Sequence, residues 1–78
     1  MTPKEFESLM YIITAHTVEK IAERTGISEN EAMLEFLRSR VYAVLENEQS
    51  KAWHFSTTMI AQLFIDEQNG CLTWPEVA

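Results

Sequence analysis

The sequence has 78 residues, and its 12 acidic side chains outnumber its 6 basic ones, which gives a formal net charge of -6. A chain of this length folds as one small domain with one modest hydrophobic core. The negative charge argues against nucleic acid, whose phosphates attract Lys and Arg, and against an anionic membrane surface. Hydrophobic residues make up 46% of the chain, which is too many for a disordered protein.

The amino-terminal segment predicts neither a secretory signal nor a membrane span. Glu5 and Glu7 stand where a signal sequence needs an apolar run, and no uninterrupted apolar run is longer than the five residues of 9–13. A membrane-spanning helix needs about 20 such residues. The single cysteine, Cys71, has no partner for an internal disulfide, which favours a reducing compartment. We therefore expect a cytoplasmic protein.

The first predicted helix covers residues 3–25. Thr2 can accept a hydrogen bond from an orphan backbone N–H, Pro3 suits a first turn, and Gly26 suits the left-handed conformation that ends a helix. Two apolar stripes follow the helical period, which indicates a helix held between two neighbours, either later helices or its own core and a partner. The two stripes comprise Phe6, Leu9, Met10, Ile13, Thr17 and Ile21, and Tyr11, Ala15, Val18 and Ala22.

A second helix is predicted over residues 29–46, because Ser28 and Glu31 form a capping box directly after the Gly26 turn. The pattern leaves open whether this helix bends near Ser39. Its apolar stripe is broad and comprises Met33, Leu34, Phe36, Leu37, Val41, Val44 and Leu45.

The remainder of the chain predicts a short helix over residues 51–55, a last helix over 57–69 and a tail over 71–78 that packs back. Ser56 is the expected cap of the last helix, and Gly70 its expected stop. The inner stripe of that helix comprises Met59, Ile60, Leu63 and Phe64, and the apolar residues of the tail are Leu72, Trp74 and Val77.

The fold class that follows is all-α. No segment alternates polar and apolar residues as a half-buried strand does. We expect one domain over residues 1–78, a compact bundle of three to four helices with a helix-turn-helix-like turn at Gly26.

The turn at Gly26 raises the hypothesis of a DNA-binding helix-turn-helix. A recognition helix needs Arg, Lys, Asn or Gln toward base edges, and basic residues toward phosphates. The helix after Gly26 instead carries Glu29, Glu31 and Glu35. We therefore expect a structural turn and no nucleic acid, and a helix-turn-helix transcription regulator is the alternative function.

The titratable residues do not form a recognisable catalytic or metal-binding pattern. His16, His54 and Cys71 match no recurrent zinc spacing. Cys71 follows a predicted helix end, where the helix dipole disfavours a thiolate. The neighbours Asp66 and Glu67 point about 100° apart on a helix, which is a poor arrangement for a paired acid and base. We expect no enzyme, no metal and no cofactor.

Five residues are candidates for binding a partner. Trp53 and Trp74 are either core anchors or interface anchors, since Trp buries a large apolar area in a core and contributes much of the binding energy at an interface. Tyr42 lies on the polar face of its predicted helix. Glu46 and Glu48 oppose the dipole at a helix carboxyl end, which indicates either a solvated loop or a site that steers association.

Two segments and one helix start resemble a family of short bacterial all-helical proteins of unknown function. The matching residues are Ile27, Ser28, Glu31 and Ala32, then Ser39-x-x-Tyr42-x-x-Leu45, then Ser50-Lys51-x-Trp53-x-x-Ser56. The match covers about residues 9–67 and leaves Trp74 outside. Proteins of this kind occur beside toxin-like partners, so the resemblance implies an antitoxin-like or accessory role.

The residues and the resemblance together predict a small acidic protein that binds another protein or itself. An antitoxin-like or regulatory role, with a basic partner or a homodimer, is the function that we expect from the sequence.

Overall fold

The computed structural model describes residues 2–74, and it begins with one long helix, α1, over Pro3–Thr25. The Thr2 hydroxyl accepts from the Glu5 N–H at 3.2 Å, which satisfies one of the orphan donors of the first turn. Gly26 ends the helix at φ 80°, and its own N–H donates to the Ala22 carbonyl. The bounds of α1 are those of the predicted helix.

Two helices, α2 over Glu29–Leu37 and α3 over Arg40–Leu45, replace the single helix predicted over residues 29–46. The break lies at Ser39, whose backbone is extended, with φ -78° and ψ 158°. Its buried hydroxyl donates to the Phe36 carbonyl at 2.6 Å and accepts from the Tyr42 N–H at 3.0 Å. One serine therefore caps α3 and bonds the end of α2, and the bend that the sequence left open becomes a break.

Two short 3₁₀ turns, Glu48–Ser50 and Ala52–His54, connect α3 to α4, which spans Thr57–Gln68. The short helix predicted over 51–55 is therefore a single 3₁₀ turn. Lys51 joins the two turns in the left-handed conformation at φ 59°. Ser56 caps α4 by accepting from the Met59 N–H at 3.1 Å, and the helix ends one residue before the predicted position.

The helices form an all-α bundle, which confirms the predicted fold class, and residues 2–74 contain no strand. α1 packs against both α2 and α4, and α3 packs against α2 and α4. The two stripes of α1 thus meet two neighbouring helices over part of their length. The largest fully buried side chains are Phe36, Phe64, Ile21, Leu45, Ile60, Val41 and Thr17.

Some residues of the predicted stripes lie outside this core. Leu34 and Leu37 on α2 are 55% and 44% exposed, and Met59 on α4 is 42% exposed. Each was expected to face the interior. Helical spacing assigns a side chain to a face but does not say how much of that face a neighbour covers, and the neighbours here cover only part of each stripe.

The beginning of the tail lies against the bundle, where Leu72 and Trp74 are half-buried and pack against the core. Val77 and the rest of 75–78 lie outside the described residues. Between residues 2 and 74, no helix combines the length and the apolar character needed to cross a membrane.

A candidate binding groove

A groove of about 360 Å³ lies between α1 on one side and α2 with the start of α3 on the other. We call it the α1–α2 groove. α1 contributes five residues, α2 two and α3 one. They are Glu7, Met10, Tyr11, Thr14 and Ala15, then Met33 and Leu37, then Tyr42.

The break at Ser39 gives the groove its shape. α2 ends at Leu37, and the chain turns before α3 begins, so that Tyr42 reaches the groove from a separate helix. The Tyr42 ring packs edge-to-face on the buried Phe36 ring, with centroids 5.4 Å apart and an interplanar angle of 69°. This geometry is one that aromatic pairs favour, and it fixes the orientation of the half-buried Tyr42.

Large apolar side chains on and beside the groove are open to solvent. Tyr11 is 79% exposed, and its α1 neighbour Ile12 is 53% exposed. Leu37 lies on the opposite wall, and Leu34 precedes it by one turn. Single exposed apolar residues are ordinary, and the feature that sets this surface apart is that two of them, Tyr11 and Leu37, line one groove. The second stripe of α1 is thus only partly covered, since Tyr11 and Ala15 have no helix over them.

Glu7 is the one charged side chain among the described residues that line the groove, and it is exposed. Glu7 and Tyr11 also border an adjoining hollow on α1, where Lys4, Ser8 and Ile12 complete the lining. The groove itself is therefore apolar, with Glu7 at its edge and the basic Lys4 one turn away in the adjoining hollow.

The opposite side of α3 is held by Glu67, which the sequence did not single out as a binding group. Its carboxylate accepts from the Arg40 N–H at 3.1 Å and from the Val41 N–H at 3.0 Å. These are two of the free donors at the start of α3, where the helix dipole also favours a negative charge. Glu67 was considered only as an acid next to Asp66, and its actual partners lie too far along the chain for spacing to reveal them.

Trp53 is tied into the bundle. Its Nε1–H donates to the Glu48 carbonyl at 2.8 Å, its ring packs edge-to-face on Phe6, and the exposed His54 ring stacks on it at 4.0 Å. The half-buried ring thus joins the first 3₁₀ turn to the start of α1. Of the two hypotheses for Trp53, these contacts favour the structural anchor.

The other predicted binding residues do not line the groove with Tyr42, although the Glu46 N–H donates to the Tyr42 carbonyl one turn earlier. Trp74 borders a second hollow together with Arg40, Val44, Glu67 and Leu72. Glu46 and Glu48 are exposed on the connection after α3. Of the five candidates, only Tyr42 lines the α1–α2 groove. Tyr11 lines the groove but was not among the predicted binding residues. The one indication in the sequence was its position on the second apolar stripe of α1.

Most of the other residues considered for DNA binding, metal binding or catalysis are exposed. The acidic residues of α2, Glu29, Glu31 and Glu35, are all exposed. His16, His54 and Cys71 are exposed as well. Within residues 2–74, no three His, Cys, Asp or Glu side chains are grouped closely enough to hold a metal ion.

Comparison of the chain with known proteins gives no match to a family model, a curated protein or a solved structure.

Proposed function

We propose that this chain is a small protein-binding domain that holds its partner in the α1–α2 groove. The observation that carries the proposal is the exposure of Tyr11, at 79%, on the wall of an apolar groove whose other wall ends in the exposed Leu37. Covering such side chains removes apolar area from water, which is worth about 25 cal/mol per Å². Tyr is also among the residues that dominate binding energy at interfaces.

The openness of the groove favours a protein over a small ligand. Small-molecule sites enclose most of the ligand surface, about 70–90% of it. Here Tyr11 and Leu37 stand well out of the surface, so that a small molecule between them would remain exposed. A partner with its own surface covers both walls at once.

The antitoxin-like or regulatory role and the cytoplasmic setting belong to the same proposal. The exposed thiol of Cys71 fits a reducing compartment. The resemblance supports an accessory role beside a partner protein, and an acidic chain suits a basic partner. The alternative transcription regulator has less support, because α2 presents carboxylates where a recognition helix presents donors to DNA.

The test is affinity capture from the cell that makes this protein, with bound proteins quantified by mass spectrometry. The wild-type chain is compared with Tyr11→Ser and Leu37→Ser, and Met59→Ser on α4 serves as the matched control. Met59 is also an exposed apolar residue but does not line the groove. We expect capture of a defined partner to fall at least about tenfold in both groove variants, the loss typical of an interface hot spot, and to persist in the control.

Two results would contradict the proposal. One is a partner that all four chains capture equally, which would place the interface elsewhere. The other is the absence of any partner above background together with a monomer by light scattering, which would leave the groove without a protein to bind. Light scattering of the same four chains also detects self-association and shows whether it depends on Tyr11.

A further inference from the structure

We infer that the occupant of the α1–α2 groove is an amphipathic helix of another protein, with an apolar face and a Lys or Arg placed beside Glu7. This inference rests on the proposed function and adds to it the shape and the charge of the partner.

The groove has the form that a helix fills. Its walls are two neighbouring helices, and a third helix laid between two others is the usual way in which a bundle covers an apolar stripe. Along α1 the lining runs from Glu7 to Ala15, which corresponds to ~12 Å, or about two helical turns. That length accommodates the apolar residues of a partner helix at positions i, i+3, i+4 and i+7.

The floor of the groove is suited to apolar side chains. Met10 and Thr14 are buried there, and Met33 is half-buried beside them. Methionine has an unbranched, flexible side chain that adapts to irregular surfaces, and Met-lined grooves accept partner helices for this reason. Tyr11 and Leu37 stand above the floor on opposite walls.

The charge of the groove selects among occupants. Glu7 is its one charged lining residue within residues 2–74, and the whole chain has a net charge of -6. Lys4 is one turn from Glu7 but lines the adjoining hollow and not the groove. A second copy of the chain would bring the same negative charge to the interface, and an acidic helix would place like charge against Glu7. A helix with a basic residue beside the apolar face gains both the contact with Glu7 and a faster, steered association.

The experiment selects from a displayed library of 16-residue helical peptides against the immobilised full chain. Four positions with the spacing i, i+3, i+4, i+7 vary among Leu, Ile, Met, Phe and Ser, and the flanking positions vary among Lys, Glu and Ser. The peptides most enriched by the wild-type chain are synthesised, and the Met59→Ser chain serves as the control variant. Their affinities are then measured by fluorescence anisotropy at low and high salt.

We expect the enriched peptides to carry apolar residues at the four spaced positions and Lys on one flank. Their Kd should rise at least about tenfold with Tyr11→Ser, as for a hot-spot residue, and about threefold with Glu7→Gln, as for an exposed ion pair. The Glu7→Gln effect should shrink at high salt, because salt screens exposed charges.

Other outcomes overturn the inference without touching the proposed function. Enriched peptides that carry Glu or Ser as often as Lys, or that bind Glu7→Gln as tightly as wild type, would refute the basic partner. A library that yields no Tyr11-dependent peptide would refute a helical occupant. The proposed function fails separately, when affinity capture finds no partner that depends on Tyr11 and Leu37.

Discussion

The chain break at Ser39 has different surroundings on the two sides of α3. On the side of α4, the α2–α3 junction is closed by polar contacts: Ser39 bonds both helices, and Glu67 accepts two N–H groups of α3. On the side of α1, the break leaves an apolar groove, with Tyr11 and Leu37 uncovered. The junction bonds its polar groups within the chain, whereas the groove leaves apolar area in contact with water.

Because of this difference, we expect the residues that determine stability to be distinct from those that determine binding. Orphan donors at a helix start cost free energy unless something bonds them, so the junction contributes to the folded state itself. Exposed apolar side chains contribute little to folding because they remain in water on both sides of the equilibrium. Substitutions at the junction should therefore change stability, and substitutions in the groove should change binding.

The largest effect is expected for Glu67→Ala. The change removes a carboxylate that accepts two backbone N–H bonds, and hydrogen bonds to charged groups contribute about 1.5–3 kcal/mol. We expect urea denaturation to show a free energy of unfolding that is about 2 kcal/mol lower than that of the wild type. Glu67→Gln keeps one acceptor oxygen, so its free energy of unfolding should lie between those of the wild type and Glu67→Ala. Asp66→Ala removes the neighbouring acid, whose carboxylate accepts from the Gln62 side chain and from no other group within residues 2–74. An equal loss in Asp66→Ala would show that Glu67 does not close the junction.

A smaller effect is expected for Ser39→Ala. The variant loses the bond to the Tyr42 N–H and the bond to the Phe36 carbonyl, and loss of an N-cap costs about 0.5–2 kcal/mol. Because Ser39 is buried, we expect a loss of about 1–1.5 kcal/mol, which is smaller than the loss for Glu67→Ala. The matched variant is Ser56→Ala, an exposed N-cap that accepts from Met59 alone. If thermal unfolding shows that Ser56→Ala is the more destabilising change, the buried cap at the α2–α3 junction does not contribute more stability than an exposed cap.

The smallest effect on stability is expected for Tyr11→Ser. Tyr and Ser have similar helix propensities, and an exposed substitution changes the free energy of unfolding by about 0.5 kcal/mol or less. The same substitution should abolish most partner capture. If urea denaturation shows a loss greater than about 1 kcal/mol, the Tyr11 side chain supports the fold and the separation between the two sides of α3 disappears.

The sequence predicted the elements whose signals are local. Thr2, Ser28 and Ser56 each cap the helix that follows them, and Gly26 ends α1, because caps and stops depend on residues within one turn. These signals, with the helical period between them, were enough to predict the all-α class.

The break at Ser39 could not be predicted, because serine in a helical pattern is compatible with both a continuous helix and a cap. What favours the cap here is the carboxylate of Glu67, brought to α3 by the packing of α4. The candidate site had the same limit. Tyr42 could be singled out, but the groove that it lines depends on which parts of α1 the other helices leave uncovered.

α1 belongs to both the groove and the bundle: it contributes Tyr11 to a groove wall, and it packs against both α2 and α4. When the chain unfolds, α1 separates from the other helices and the groove no longer exists. An occupant of the groove therefore binds the folded state and not the unfolded state. Such a ligand shifts the unfolding equilibrium by mass action, by about 2.7 kcal/mol at one hundred times its Kd. If a partner occupies the groove as proposed, the bound chain should therefore resist proteolysis longer than the free chain.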